Sequence, residues 1–279
     1  MLTNQYPVSF LKDYQKIFLD NFIDETPNSF NYLVKNYLKP NNIYLSIDSN
    51  QILELGLMVI PKNIYINKEI KKAGLIYGVV ASDKYKHTGI LKKIFPAFIN
   101  ELYKEYDLIL IESEHWKIYK NFDLIPINFI SKFISTNKID KKILKKYLID
   151  FRQETIIKIF DIYKNHIKNF HQNEYVFYSF NEFEKVINLN ILMDDKIFIF
   201  NNAFGLYSSK FNLLQSIYFE SEKDLIDLVN VLPKDTKLIV DKKFSNLLPK
   251  TLIKEEDYAK TKMFNQPNLL KSLFFVESN

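Results

Sequence analysis

The stretch AGLIYGVVASDKYKHTGILKK, residues 73–93, joins an apolar run to an amphipathic one through a short basic loop. Leu75 to Ala81 is almost wholly apolar and strand-sized, with Gly74 just before it and Gly78 inside it. From Gly89 to Tyr103 apolar side chains recur at Leu91, Ile94, Phe95, Phe98, Ile99 and Leu102, one face of a helix able to cover a sheet. Asp107-Leu-Ile-Leu-Ile follows, bounded by charge and short enough for a buried parallel strand. The order is strand, crossover helix, strand. A tight loop over Lys84 to Gly89 aims the unpaired N–H groups of the helix start at one spot, where a phosphate oxygen fits the partial positive charge. Lys84, Lys86, Lys92 and Lys93 add to it. The loop is neither a P-loop nor the dinucleotide-binding glycine fingerprint, and a solvated loop before a helix is the competing reading.

Working outward toward the N-terminus, Phe10, Tyr14, Phe18 and Phe22 and then Phe30, Leu33, Val34 and Leu38 predict two short helices separated by Thr26-Pro-Asn-Ser29. Ile43 to Ile47 and Gln51 to Ile60 read as a hairpin around Asp48-Ser-Asn50. Toward the C-terminus, Ser113 to Lys120 reads as a short helix. Phe122 to Phe133 reads as an extended segment bent at Pro126. The lysine-rich residues 136–146 favour a helix, as do 153–168. A further helix, three strands (196–201, 204–208, 213–219), a helix over 222–232, a strand over 237–240 and a short helix over 242–247 complete the pattern. The expected organisation is a first module over 1–135, a helical linker over 136–153 and a second module over 154–279. The shared element order suggests one fold used twice.

The chain has 279 residues with 38 basic against 33 acidic side chains, a formal charge of +5, and Arg152 as its only arginine. So small an excess of lysine reads as composition bias rather than a nucleic-acid footprint. Zero cysteines exclude a disulfide framework, a thiolate zinc site and a cysteine nucleophile, and favour the cytoplasm. The opening residues lack a signal pattern and the longest apolar runs are strand-sized, so neither secretion nor a membrane span is expected. His166 and His171 form no recognised metal spacing, and no metal is expected. Four of the 5 glycines (Gly56, Gly74, Gly78, Gly89) lie in the first module, which places ligand chemistry there.

The loop resembles the coenzyme A-binding motif of the GCN5-related N-acetyltransferase superfamily: Arg or Gln, two residues, Gly, one residue, then Gly or Ala. Lys86, Gly89 and Leu91 occupy the marked positions, and His87 stands where a glycine is common. Leu75 to Ala81 resembles the family's fourth strand, Asp107 to Ile111 its fifth, and Ile118-Tyr-Lys-Asn-Phe-Asp-Leu124 its following tyrosine segment. With a second module lacking the phosphate loop, the chain is similar to the Eis-like group, without that group's sterol-carrier-like domain. The resemblance implies an α/β fold of two tandem acyl-CoA N-acyltransferase modules, each a mixed, mostly antiparallel sheet flanked by helices.

It further implies acetyl-CoA as cofactor and an N-acetyltransferase acting by direct attack of an amine. Val79, Val80 and Ala81 would bind the pantetheine arm, and Lys86, His87, Thr88, Gly89, Ile90 and Leu91 would bind the pyrophosphate. Tyr119 would be the general acid toward the departing thiolate, and the carboxylate of Asn279 would approach the active centre as a base. Beside the resemblance, Glu112 and Glu114 are the sequence candidates for base or amine recognition, and His115 is suited to proton transfer near neutral pH. The acceptor is a small-molecule or protein amine, with no nucleic-acid or membrane partner, and a homo-oligomer is compatible with the sequence. The second module is expected to shape the acceptor cleft. The alternative is a catalytically inactive acyl-CoA-binding or regulatory protein that retains the fold.

Overall fold

The N-terminal helices form as their spacing dictates: α1 (Val8–Asn21) buries Phe10, Tyr14 and Phe18, and α2 (Pro27–Asn36) buries Phe30 and Leu33. Thr26 starts α2 with a capping box, in which its side chain accepts from the Ser29 N–H and the Ser29 hydroxyl accepts from the Thr26 N–H. The structure, a computed structural model, describes residues 2–264 apart from 39–41, 67, 114 and 172–173, with the side chains of 174, 175 and 177 also outside the description. The described chain divides into two compact units, 2–127 with 260–264, and 128–259.

In unit 1 the sheet order is β1 (Ile43–Ile47), β2 (Leu53–Ile66), β3 (Glu69–Ala81), β4 (Leu108–Glu112) and then residues from the chain's last described strand. The first three strands are antiparallel, and β4 runs parallel to β3 through the crossover helix α3 (Ile90–Leu102). Side chains of β2 alternate between faces. Leu55, Leu57 and Val59 join Ile94, Phe95, Phe98 and Leu102 of α3 in one core, while Gly56 and Met58 face α1. Gly56 is required there, because the Tyr14 ring lies 2.2 Å from where a Cβ would stand. The β2–β3 hairpin is longer than its apolar pattern predicts: the ladder continues from Pro61↔Gly74 to Ile66↔Glu69 through residues that are mostly part-exposed. Backbone pairing sustains it where side-chain burial does not.

The chain then runs through β5 (Leu124–Ser135) into unit 2. The helix expected over 136–146 is reduced to a 3₁₀ turn (Lys141–Ile143), which Asp140 caps by accepting from the Lys142 N–H, and a single turn, α4 (Leu144–Tyr147). After β6 (Leu148–Ile149) come α5 (Gln153–Phe170), β7 (Glu174–Phe177), α6 (Phe180–Leu192), β8 (Asp195–Phe200), β9 (Ala203–Ser208), β10 (Leu213–Phe219), α7 (Glu222–Asn230) and β11 (Lys237–Asp241). Strands β5, β11, β10, β9, β8 and β6 are neighbours in that order, and only β10 and β11 pair in parallel. One core gathers Leu225, Leu228 and Val229 of α7; another gathers Ile156, Ile159 and Tyr163 of α5 with Phe183 and Ile187 of α6.

The last described strand, β12 (Leu252–Phe264), has no counterpart in the sequence reading. Its residues 253–257 are exposed and charge-rich, so it shows neither an apolar run nor alternation. Thr261, Lys262 and Met263 pair antiparallel with Glu112, Ile111 and Leu110, which is why 260–264 belong with unit 1. Each unit is a mixed, mostly antiparallel sheet flanked by helices, the α/β class expected.

Candidate functional site

The site is set by where β3 loses a partner. Ala73 to Ile76 pair with Leu108 to Ile111, and the parallel ladder stops there. From Tyr77 to Ala81 β3 has no β4 partner, and apart from the Gly78 carbonyl, taken by Tyr14, a bound molecule can pair with this edge. On the β2 side Val80 pairs with Gly56 but Tyr77 with Met58, so three steps along β3 match two along β2. This is a bulge, and Gly78 within it has φ 64°. A side chain at Gly78 would meet Phe18 at 2.7 Å and the Tyr14 hydroxyl at 2.8 Å. The extra residue resets the alternation: Ile76, Val79 and Ala81 all pack with the α3 core, while Tyr77 lies against Phe18 and Phe22 of the α1 side. Val80 is buried outside that α3 core. The Tyr14 hydroxyl donates to the Gly78 carbonyl at 2.8 Å.

The loop beyond Ala81 is a 3₁₀ turn (Asp83–Tyr85) followed by 86–89. Asp48, in the β1–β2 turn, accepts from Lys84 Nζ at 3.1 Å and from the Tyr85 hydroxyl. The Tyr85 hydrogen bond, with backbone N–H groups of Ile52 and Asn50, holds the Asp48 carboxyl well below the usual carboxylate range. Lys84 is thereby tied to the turn. Lys86 pairs with Asp83 at 2.8 Å in an exposed ion pair, an interaction of small net worth. His87 has φ 64° and Gly89 φ 79°; the Thr88 hydroxyl donates to the Tyr85 carbonyl at 2.7 Å. Gly89 precedes α3 without a side-chain cap, no acid stands in the helix's first turn, and a Cβ built at Gly89 would meet nothing within 4 Å. No side chain therefore caps the first N–H groups of α3, and Lys92 and Lys93 are exposed beside them. Ile90 is buried, and Leu91 packs against the core.

Tyr119 ends a 3₁₀ turn (Trp116–Tyr119), which replaces the longer helix expected over 113–120. Its ring lies 6.3 Å from Phe95, 6.1 Å from Trp116 and 6.4 Å from Phe122, in the same core as Val79, Ala81 and Leu91. Burial pushes its phenol well above the ordinary tyrosine range, so it stays protonated and able to donate at neutral pH. Glu112 is exposed at the end of β4, the residue after the last parallel pair, as Tyr77 is on β3; it accepts from the Thr261 hydroxyl at 3.3 Å. His115 is exposed and its N–H donates to Ser113 Oγ. Glu114 and Asn279 lie outside the described residues. Among the described residues no group of three acidic or histidine side chains is placed to hold a metal ion.

Sequence reading missed Glu25. It sits in the α1–α2 turn, only 9% exposed, and accepts from the Tyr77 hydroxyl at 2.6 Å and the Ser29 hydroxyl at 2.5 Å. The only local signal is the capping pattern that follows it, which explains Ser29 but not a buried carboxylate reaching β3.

No family model matches the chain, and no curated protein matches its sequence. Solved structures do match its fold. A GCN5-related N-acetyltransferase from Kribbella flavida aligns with TM-score 0.65 at 9% identity, over 94% of this chain and 70% of that one. Eis1 from Mycobacterium abscessus aligns with TM-score 0.61 at 8% identity, over 95% and 73%. Saccharomyces cerevisiae N-myristoyltransferase with bound myristoyl-CoA aligns with TM-score 0.52 at 11% identity, over 86% and 76%. No helix among the described residues is long and apolar enough to cross a membrane. A bulged strand parted from its parallel neighbour, an uncapped helix start and neighbours covering nearly all of the chain agree: this protein has the fold of the GCN5-related N-acetyltransferases.

Proposed function

We propose that the chain is an acetyl-CoA-dependent N-acyltransferase acting on an amine. The observation that carries this reading is the continuous run from the unpaired β3 edge over Tyr77–Ala81 to the open N-terminus of α3. An extended amide-bearing arm can add to such an edge as a strand would, and a pyrophosphate suits the free N–H groups at its end. The residues fit coenzyme A: Gly89 leaves room for close approach, and no acidic cap competes for the helix start. When bound, acetyl-CoA supplies the activated thioester.

The chain's own residues then divide the work. Val79, Val80 and Ala81 hold the arm through backbone groups. His87, Gly89, Ile90 and Leu91 present N–H groups to the phosphates, Thr88 closes the loop with its N–H on the Tyr85 carbonyl, and Lys92 and Lys93 add charge. Lys86 joins them only by leaving Asp83, a small cost for an exposed pair. Tyr119, kept neutral by burial, donates its proton or a strong hydrogen bond where the thiolate departs. Glu112, beside the parting of β3 and β4, takes the proton that the amine loses as it attacks. The cysteine-free composition fits a cytoplasmic enzyme.

Calorimetry with acetyl-CoA tests binding, and a thiol-release assay with an amine panel tests turnover. Tyr119→Phe is expected to lower amine-dependent release by roughly 100-fold while leaving acetyl-CoA binding within about twofold. Absence of heat with both acetyl-CoA and myristoyl-CoA, on protein shown to be folded, would sink the reading. Binding without release would instead favour the inactive acyl-CoA-binding alternative.

A further inference from the structure

Glu25 is a buried carboxyl that the fold surrounds with neutral donors. Its two carboxylate oxygens meet two neutral hydroxyls, from Tyr77 and Ser29, and among the described residues it has no cationic partner. A buried carboxylate with only neutral donors is costly to keep, and each oxygen retains a lone pair. Its position is specific. Tyr77 is the first β3 residue beyond the parallel ladder, and the next residue is the bulged Gly78, whose carbonyl is taken by Tyr14. Tyr14, Tyr77 and Glu25 lie close enough to affect one another electrostatically. The carboxylate thus stands beside the bulge on the α1 face, whereas Tyr119 packs on the α3 face. Beside it are Phe22, part-exposed and in ring contact with Tyr77, and Ile23, 69% exposed in the same turn. Glu112, exposed at the parting of the strands, adds negative charge on the approach.

We propose that Glu25 is the binding group for the acceptor's ammonium, and that the acceptor is a primary amine on an apolar stem without an adjacent carboxylate. An ammonium would occupy the free lone pairs of the carboxylate, the phenylalanine and isoleucine side chains would take the stem, and a neighbouring carboxylate would be repelled by Glu25 and Glu112 together. This rests on the acyltransferase reading for the identity of the second substrate, but the amine site itself can be measured separately.

Hexylamine and norleucine, which share a stem and differ by the α-carboxylate, are titrated into the full chain with and without coenzyme A. Hexylamine is expected to bind at least 30-fold more tightly than norleucine. Glu25→Gln should weaken hexylamine at least 30-fold while coenzyme A affinity stays within threefold. Glu25→Asp, which keeps the charge, should recover part of the loss and serves as the test if Glu25→Gln does not fold. Equal binding of the two probes, no binding of hexylamine, or unchanged hexylamine affinity in both variants would each overturn the proposal. Loss of coenzyme A binding in the wild-type chain, with hexylamine still bound through Glu25, would overturn the acyltransferase reading and leave the ammonium site standing.

Discussion

β3 in unit 1 and β10 in unit 2 are built alike and end differently. Each pairs in parallel with a later strand, through Ile76 in one and Leu214 in the other, and each is bulged two residues further on, at Gly78 (φ 64°) and Ser216 (φ 51°). Each then leads into a helix. In β3 the loop spans 82–89 and α3 starts at an uncapped glycine. In β10 only Glu220 and Ser221 intervene; the Ser221 side chain accepts from the Asp224 N–H at 3.2 Å, and Glu222 and Asp224 place negative charge in the first turn of α7. The strand end is also filled, since His166 Nδ1 lies 2.9 Å from the Phe219 carbonyl amid Phe170, Tyr218 and Phe244. A cap satisfies the helix dipole internally, and an open helix start leaves that task to a ligand. The same supersecondary unit therefore starts its helix uncapped in one half and capped in the other, and the proposed phosphate site belongs to the first.

The strongest way to break the comparison is through the plug in unit 2. Burial pushes the His166 imidazole down to about 3, against 6.5 in the unfolded chain. Below pH 6.5 the unfolded chain takes up a proton that the folded one refuses, so stability falls as pH falls until about 3. The slope approaches about 1.4 kcal/mol per pH unit, or roughly 3 kcal/mol between pH 6.5 and 4. Urea unfolding at the two pH values should show this loss in the wild type and a flatter response in His166→Asn. Matching profiles would mean that the buried imidazole is not the acid-sensitive group.

Next in size are the bulges. Gly78→Ala places a methyl against Phe18, Tyr14 and Met58 at a positive φ, and should cost roughly 3 kcal/mol in chemical denaturation. Ser216→Gly relieves a left-handed serine and should change stability by no more than about 1 kcal/mol, in the favourable direction. A costly Ser216→Gly would show that the two bulges are not equivalent.

The helix starts can be exchanged. Lys92→Asp puts an acid at the third position of α3, as Asp224 stands in α7, and should weaken acetyl-CoA roughly tenfold or more by calorimetry. An unaltered affinity would move the phosphates away from α3. The smallest effect is expected from His87→Gly, which removes a left-handed histidine in an exposed loop and should raise the unfolding free energy by at most about 1 kcal/mol.

Much of this was legible locally. The apolar run 75–81, the glycine at 89 and the amphipathic 90–102 specify strand, loop and helix through short-range preferences alone. Tyr119 could be picked out through the resemblance, yet nothing in its neighbourhood tells that its ring is buried against Phe95 and Phe122. Lys84 adds charge to the loop by sequence and Lys86 is a phosphate ligand by the resemblance; the structure pairs the first with Asp48 and the second with Asp83. The first pairing spans 36 residues and leaves no local trace. β12 escaped notice because its exposed, charged middle suppresses the alternation by which strands are recognised.

By itself, then, the sequence determined the α/β class, the crossover from β3 to β4 and the place of the loop before α3, since each follows from neighbours within a few residues. Tertiary structure alone decided which way the Gly78 bulge turns the strand, where β3 leaves β4, and that Glu25 meets Tyr77 across 52 residues. Those arrangements depend on packing from both faces of a sheet whose strands are distant in the chain, and non-local contacts of that kind have no periodicity to betray them.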